Sequence, residues 1–587
     1  MTRSGAGAPA ELEALRKKMY SAGSPETLRQ LLELSAKIYR GRRQFAQKEK
    51  KETVYYTVDD FYRDVSCVGE MLMSFGGNVH AAVVGENSYY WVTAFFAAAC
   101  SGNTAVPIDK ELPDEKIAEL AAKADCRVMF FSAPYSGAAR LFLENGGEAA
   151  VCISGKARGV NCLEIGSVIS AVEKTPEFEK AEPKKDDPAA IIFTSGTTGE
   201  NKGVILTHGN LCSNFTDLAH AIKPVSTAMS VLPMNHVYEL SCIVLTAVYM
   251  NALLYINDSL RHFESNMAEF RPEVMAAVPA LLDSIYNGIV ARAREQGELK
   301  KLFAAAAVSR FLMKLGIDIR RRLFSRAAES FGGKFPAISV GGAPVNGKKA
   351  LFLSSLGFDI YVGYGLTETA PIVSLNTDVM KYPDSAGKCL PGCRIKLIEP
   401  DEDGVGEIAV CGRNVSPGYY NEPDADRRSF SDGWFLTGDY GKIGKNGELY
   451  IAGRKKNIII LDNGKNIYTE SLEEYFVQNS VIIKEAVIFA AQKPAAVKGG
   501  GVKYLAMAVT ADEKSFAGKT PEEADEAVAA ETARLNTGLP SYEKIADTEV
   551  FFEEFEKTST MKIIRSEAER KYKERKKRKA MKNVQQL

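Results

Sequence analysis

The chain has 587 residues, 45% hydrophobic and 25% charged, with 74 Lys and Arg exactly offset by 74 Asp and Glu. This is ordinary globular composition with room for about two to four domains at roughly 100 to 200 residues each, and it excludes disordered, collagen-like and disulfide-scaffold classes. A neutral chain exerts no global pull on nucleic acid or on an acidic membrane.

Residues 1 to about 50 read as helical and charged, with Leu28, Leu31, Leu32, Ile38 and Tyr39 on one apolar face, a pattern expected of a peripheral cap. No leader of signal-peptide type is evident in MTRSGAGAPAELEALRKKMY, and no apolar stretch approaches the ~20 residues of a bilayer span, so a cytoplasmic location is expected. From residue 52 short apolar runs alternate with helical stretches: 81–84, 89–100, 105–108, 115–124 and 128–131, then runs at 191–193, 230–233, 252–256, 274–278 and 338–340. Alternation of this kind predicts a large α/β body with parallel-rich sheets and helices on their faces.

Between 388 and 451 the texture changes to short runs broken by Gly, Pro and Asp, which predicts a small β-rich subdomain. After Arg454 come an isoleucine run at 458–460 and a helix at 471–478, the expected start of a separate α+β domain. Residues 566–587 carry nine Lys or Arg against three Glu, which predicts a solvated helix or basic tail. Ten cysteines without paired spacing are expected to be reduced thiols, and five histidines without two-ligand helical spacing point away from structural zinc.

The segment most informative about chemistry is IIFTSGTTGENKGV at 191–204, in which an apolar strand runs into a loop of hydroxyls and glycines closed by Lys202. Glycines let backbone N–H groups approach phosphate oxygens, and Ser and Thr add donors. It is not a Walker A loop, because Gly203 follows Lys202 where a Mg-binding Ser or Thr is required. Read on composition alone, the same segment is a Ser/Thr-rich surface turn.

Six further stretches follow in order: LPMNHVYEL at 232–240, SVGGAPV at 339–345, VGYGLTETAP at 362–371, GEIAVCGRNVSPGYY from Gly406, WFLTGDYGKI at 434–443 and GELYIAGRKKNIIILDNGKNI at 447–467. KTSTMKIIR at 557–565 completes the set. Together they resemble the AMP-forming adenylating enzymes, the superfamily of acyl-CoA synthetases, luciferases and peptide-synthetase adenylation domains, over about residues 52 to 566. The stretches LPMNHVYE and KNIIILDNGKNIY resemble its long-chain fatty acyl branch.

That resemblance implies a reaction in which a carboxylate attacks the α-phosphorus of ATP, pyrophosphate leaves, and coenzyme A accepts the acyl group from acyl-AMP. Such chemistry needs positioning and charge stabilisation and no protein nucleophile. By resemblance Thr194, Ser195, Gly196, Thr197, Thr198, Gly199 and Lys202 wrap the β and γ phosphates, while Thr367 and Glu368 hold the α-phosphate and Mg²⁺. Tyr364 and Gly365 line one face of adenine, with the Gly342, Ala343 and Pro344 backbone on the other. Asp439 is the implied ligand of the ribose hydroxyls, Arg454 a ribose and phosphate contact, and Lys456 the hinge. Lys562 is the implied cation between carboxylate and α-phosphate, and His236 stands at the mouth of the carboxylate pocket.

Three positions depart from the family pattern: Asn201 and Thr469 where proline is common, and Met561 where glycine precedes Lys562. None removes a charged group. The expected division is an N-terminal AMP-binding domain at 1–454 and a mobile C-terminal domain at 455–587. A carrier-protein acceptor and a catalytically silent acyl or nucleotide sensor stand as alternatives. Nucleic acid is not an expected partner, and peripheral membrane contact is expected, if anywhere, through the basic tail.

Overall fold

The computed structural model describes residues 9–50, 52–195, 201–461, 465–492, 503–511, 516, 520–557 and 563–585. The chain forms two compact units, one of residues 1–342, 349–395 and 409–436, the other of 343–348, 396–408 and 437–587.

The first unit contains two large sheets. One has eight strands in the order Gly418–Tyr419, Asn201–Thr207, Pro188–Ser195, Thr104–Pro107, His80–Val84, Cys126–Ser132, Ala149–Ser154 and Leu163–Glu164. Its inner pairings are parallel, and the hairpin Pro188–Thr207 turns it antiparallel at one side. The other sheet has nine strands and is parallel from Arg43–Glu49 through Leu253–Ile256, Thr227–Ser230, Val274–Ala277 and Ala337–Val340 to Asp359–Gly365. Strands buried on both faces need apolar residues at nearly every position, which is why Ala81–Val84 and Val274–Ala277 are continuous apolar runs.

The helix Tyr89–Cys100 is apolar all round because it is buried all round; of its twelve residues only Tyr90 is not. Ser88 fixes its start by accepting from the Trp91 N–H at 3.1 Å. This helix, His208–Ala221 and residues of both sheets share one hydrophobic cluster.

The N-terminal segment is not a peripheral cap. Leu28, Leu31 and Leu32 are buried in that same cluster, and Arg16 reaches the Met250 carbonyl at 2.7 Å. Residues 43–49, expected to be helical, form a strand parallel to Leu253–Ile256 and antiparallel to Glu52–Thr57. The sequence RQFAQKE looks polar, yet its middle residues are buried: Phe45 packs against Phe61 and Tyr89, and Gln44 donates to the Ala247 and Ala252 carbonyls at 3.2 and 3.1 Å. The expected run at 230–233 also ends early: the strand is Thr227–Ser230.

In the second unit a sheet of Ile483–Gln492, Lys503–Ala511 and Ile545–Phe551 packs with the helices Thr469–Asn479 and Pro521–Asn536 around Ile488, Met507 and Val509. The basic C-terminus is helix Arg565–Gln585, and it is not a free tail. Ala568 and Tyr572 are buried against Val487, Phe489, Ala506 and Ala508. Arg575 and Lys579 meet the wholly buried carboxylate of Glu549 at 2.8 and 2.7 Å, and Lys576 meets Asp547 at 2.7 Å. Removing the cations from a buried ion pair is strongly destabilising, so these side chains are structural. Among the described residues no helix is long and apolar enough to cross a membrane.

Candidate active site

The hydroxyl- and glycine-rich segment is carried by an antiparallel hairpin that sets Thr194 opposite Lys202 and Ser195 opposite Asn201. Gly196, Thr197, Thr198 and Gly199 lie outside the described residues. Gly203 is needed for packing, since a Cβ there would stand 2.8 Å from the Ile191 side chain. The short strand Gly418–Tyr419 pairs with the hairpin, Tyr419 opposite Val204. That register brings the Tyr419 ring under Lys202, whose ammonium lies 5.1 Å from the ring centroid.

The Tyr419 hydroxyl donates to Oε1 of Glu368 at 2.9 Å, and the Ser416 N–H donates to the Glu368 carbonyl at 2.8 Å. Burial, then the neighbouring carboxylate, pushes the Tyr419 phenol well above its usual range, so it stays a donor. Lys202 and Glu368, far apart in sequence, are thereby joined through one aromatic side chain. Sequence reasoning quoted Tyr419 within SPGYY but gave it no role; the signal was a tyrosine fixed beside a glycine that pairs with the loop-bearing strand.

Thr367 and Glu368 sit in the short 3₁₀ turn Thr367–Thr369 that follows the strand Asp359–Gly365. Two buried asparagines hold the chain just beyond it. Asn214 donates to the Ile372 carbonyl at 2.7 Å, and Asn414 donates to the Thr369 and Ile372 carbonyls at 3.0 and 3.1 Å. Gly365 is required there, because a Cβ would fall 1.8 Å from the Pro371 carbonyl oxygen. Val340 pairs with Val362, so Gly341 and Gly342 leave their strand beside Gly363 and the half-buried Tyr364. Gly342 has φ +84°, which favours glycine. Ala343 and Pro344 belong to the second unit.

His236 precedes the turn Val237–Glu239, with its N–H donating to the Pro233 carbonyl at 3.2 Å. Asn87, which sequence reasoning passed over, braces this loop: it donates to the Leu232 carbonyl at 2.7 Å and accepts from the Met234 N–H at 3.0 Å. Tyr238 shares a hydrogen bond of 3.0 Å with Ser339, and its ring would meet a Cβ on Gly341. Glu239 is wholly buried and accepts from the Val231 N–H at 3.0 Å; burial pushes its carboxyl up to about 8.

In the second unit Asp439 and Arg454 are opposite each other on paired strands, and Arg454 Nε lies 2.7 Å from Asp439 Oδ1. Asp439 is buried, and its N–H donates to Thr437 Oγ1 at 3.0 Å. Lys456 is exposed in the 3₁₀ turn Lys455–Asn457, where Lys455 is held by Glu407 at 2.6 Å. Thr469 donates to the Asn457 carbonyl of this turn at 3.1 Å and accepts from Arg565 Nη2 at 3.0 Å. Arg565 also pairs with both oxygens of Glu473 at 2.7 Å. A proline at 469 would have no hydroxyl for either contact. Lys562 lies outside the described residues.

Among the described residues no three His, Cys, Asp or Glu side chains gather as a self-sufficient metal site. A hard cation shared with phosphate oxygens needs only one or two protein carboxylates, and half-buried Glu368, oriented on one oxygen by Tyr419, fits that demand.

Residues 32–420 match the AMP-binding enzyme family, and residues 456–577 match the AMP-binding enzyme C-terminal domain. The chain belongs to the AMP-binding enzyme family. Within that family, a long-chain-fatty-acid–CoA ligase of Mycobacterium bovis is 27% identical over 500 residues, 78% of this chain and 79% of its own. A long-chain-fatty-acid–CoA ligase of Saccharomyces cerevisiae is 31% identical over 334 residues, 53% of this chain and 48% of its own. The fold is also that of the o-succinylbenzoate CoA synthetase of Bacillus subtilis in complex with its acyl-adenylate intermediate, at TM-score 0.69 and 21% identity over 91% of this chain and 97% of that one.

Proposed function

We propose that this protein is an AMP-forming acyl-CoA ligase whose preferred acid is a long-chain fatty acid. The observation that carries the reading is the Lys202–Tyr419–Glu368 connection, which sets a cation and a carboxylate beside the strand that leads into the hydroxyl- and glycine-rich loop. Family membership supports adenylation, and the long-chain names of the curated relatives support the acid.

In the proposed first half-reaction an oxygen of the acid attacks the α-phosphorus of ATP, the bond to the β-phosphate breaks, and acyl-AMP and pyrophosphate form. Two anions must approach, so the barrier is largely electrostatic. Lys202 and the N–H and hydroxyl donors of residues 194–199 are assigned to the leaving pyrophosphate, Thr367 to the α-phosphate, and Lys562 to the repulsion between attacking and attacked oxygens. Mg²⁺ would be held by Glu368 and would supply further neutralisation of phosphate charge. Tyr364, with Gly365 and the Gly342, Ala343 and Pro344 backbone, is assigned to adenine, and Asp439 with Arg454 to the ribose.

In the second half-reaction the coenzyme A thiolate attacks the acyl-AMP carbonyl and AMP leaves. Free thiols have a pKa of about 8.5, so a few per cent are already anionic at neutral pH and no dedicated base is compelled. His236 is assigned to orienting the carboxylate in the first half-reaction, and Lys456 to the hinge about which the C-terminal domain, from about residue 455, changes position between the two steps.

The test is pyrophosphate release with ATP and Mg²⁺ across acids from acetate to oleate, with and without coenzyme A. Release that peaks with long acids and is sustained only with coenzyme A is expected. Release that stalls near one turnover despite coenzyme A would redirect the acyl group to a carrier protein, and no release with any acid would mark a silent sensor.

A further inference from the structure

Fifteen large apolar side chains are exposed among the described residues, and six of them fall within one short stretch: Phe303, Val308, Phe311, Leu315, Ile317 and Leu323. Four of these lie in or next to the helix Leu299–Lys314. On its inner side that helix is anchored by buried Ala306 and by buried Ser309, whose hydroxyl donates to the Ser355 carbonyl at 2.9 Å. Val308, Phe311 and Leu315 recur at i, i+3 and i+7 on the opposite side, and are 53%, 62% and 60% exposed. A stripe this long on the outward face of a well-anchored helix contributes nothing to the core and calls for a partner.

The same stretch is strongly one-sided in charge. Residues 299–326 hold eight Lys or Arg and a single acid, Asp318, in a chain that is neutral overall. Lys300 and Lys314 flank the apolar stripe on the helix, Arg322 and Arg326 continue beyond it, and Lys301 and Arg321 add charge while lying 3.6 and 3.8 Å from Glu298 and Asp359. An apolar face edged by lysines and arginines is the pattern of a helix that lies in the interface of an anionic membrane, rings and branched chains among the acyl groups and cations at the headgroups. A second copy of the chain fits poorly, because a two-fold contact would set this cationic surface against itself.

We propose that the face of helix Leu299–Lys314 bearing Val308, Phe311 and Leu315 docks the protein on an anionic lipid bilayer. The C-terminal helix, the more basic by sequence, is the weaker candidate, since Arg575, Lys576 and Lys579 are engaged by Asp525, Asp547 and Glu549. The proposal does not depend on the chain length of the acid. It gives a place where a water-insoluble acid would be met, should the acid be long.

The test uses the full chain and its sedimentation with vesicles of phosphatidylcholine alone or mixed with phosphatidylglycerol, at low and high salt. The wild type is expected to pellet with the mixed vesicles, less so at high salt, and to stay in solution with phosphatidylcholine. The triple substitution Val308→Ser, Phe311→Ser, Leu315→Ser is expected to lower the bound fraction at least tenfold at an unchanged melting temperature, because all three side chains are exposed. Lys300→Glu with Lys314→Glu is expected to abolish the salt-sensitive part, while Lys577→Glu with Arg578→Glu on the C-terminal helix leaves binding intact. The proposal is overturned by absence of wild-type binding, by equal binding of the triple variant, or by loss of binding in the C-terminal variant instead. A dimer in sedimentation velocity that the triple variant dissociates, without vesicle binding, would assign the face to a second copy.

Discussion

Tyr419 donates its hydroxyl proton to Glu368 at 2.9 Å while its ring lies 5.1 Å from the Lys202 ammonium, so one side chain touches both charged groups assigned to the phosphates. Tyr419→Phe keeps the ring and its contact with Lys202 and removes only the bond to Glu368. A hydrogen bond to a charged group contributes about 1.5–3 kcal/mol, so a drop in kcat of about 10- to 100-fold is expected if that bond orients the carboxylate. The Mg²⁺ concentration for half-maximal rate should rise as well, with the KM for the acid little changed. A magnesium titration of the two proteins checks this, and an unchanged half-saturation would deny Tyr419 its positioning role.

Asp439 and Arg454 face each other across paired strands, and the backbone bond from Asp439 to Thr437 does not involve the carboxylate. Asp439→Asn should therefore keep the fold while weakening bonds to both ribose hydroxyls. The expected result is a rise of at least tenfold in the KM for ATP, measured at saturating acid and coenzyme A, with a melting temperature close to that of the wild type.

Glu239 yields a pH prediction. Its carboxyl is raised by burial from about 4.5 to about 8, so the folded state holds a proton that the unfolded state has lost between those values. Stability from this group is fully present below pH 4.5 and is lost as the pH rises toward 8. Glu239→Gln is neutral throughout and nearly isosteric. The melting temperature of the variant minus that of the wild type should increase from pH 5 to pH 9, and a flat difference would show that Glu239 does not titrate in this window.

Lys562→Ala should separate the two half-reactions. Pyrophosphate release is expected to fall by several orders of magnitude, because the variant lacks the cation assigned to the attack. Thioester formation from supplied acyl-AMP should be largely retained. Equal loss in both assays would contradict the role given to Lys562 and, with it, the change of position about Lys456.

The strand and helix alternation of the first unit was legible because strands covered on both faces are written as unbroken apolar runs, as in Ala81–Val84 before Tyr89–Cys100. Arg43–Glu49 was not, since it pairs with Leu253–Ile256, about two hundred residues away, and its Gln44 is buried by donating to the distant Ala247 and Ala252 carbonyls, neither of which leaves a local pattern. The C-terminal charges misled for a related reason. A count of lysines and arginines cannot reveal that Asp525, Asp547 and Glu549 await them.

At the candidate site the family motifs named Lys202 and Glu368 directly. Their connection through Tyr419, and the support of the 369–372 turn by Asn214 and Asn414, depend on pairings between distant strands and on buried amides that have no spacing of their own.

The central claim is that the carboxylate itself attacks the α-phosphorus. With a fatty acid carrying oxygen-18 in its carboxyl group, plus ATP, Mg²⁺ and coenzyme A, AMP recovered from the reaction should contain one oxygen-18 atom by mass spectrometry. Unlabelled AMP, or ADP with the label in inorganic phosphate, would contradict the account.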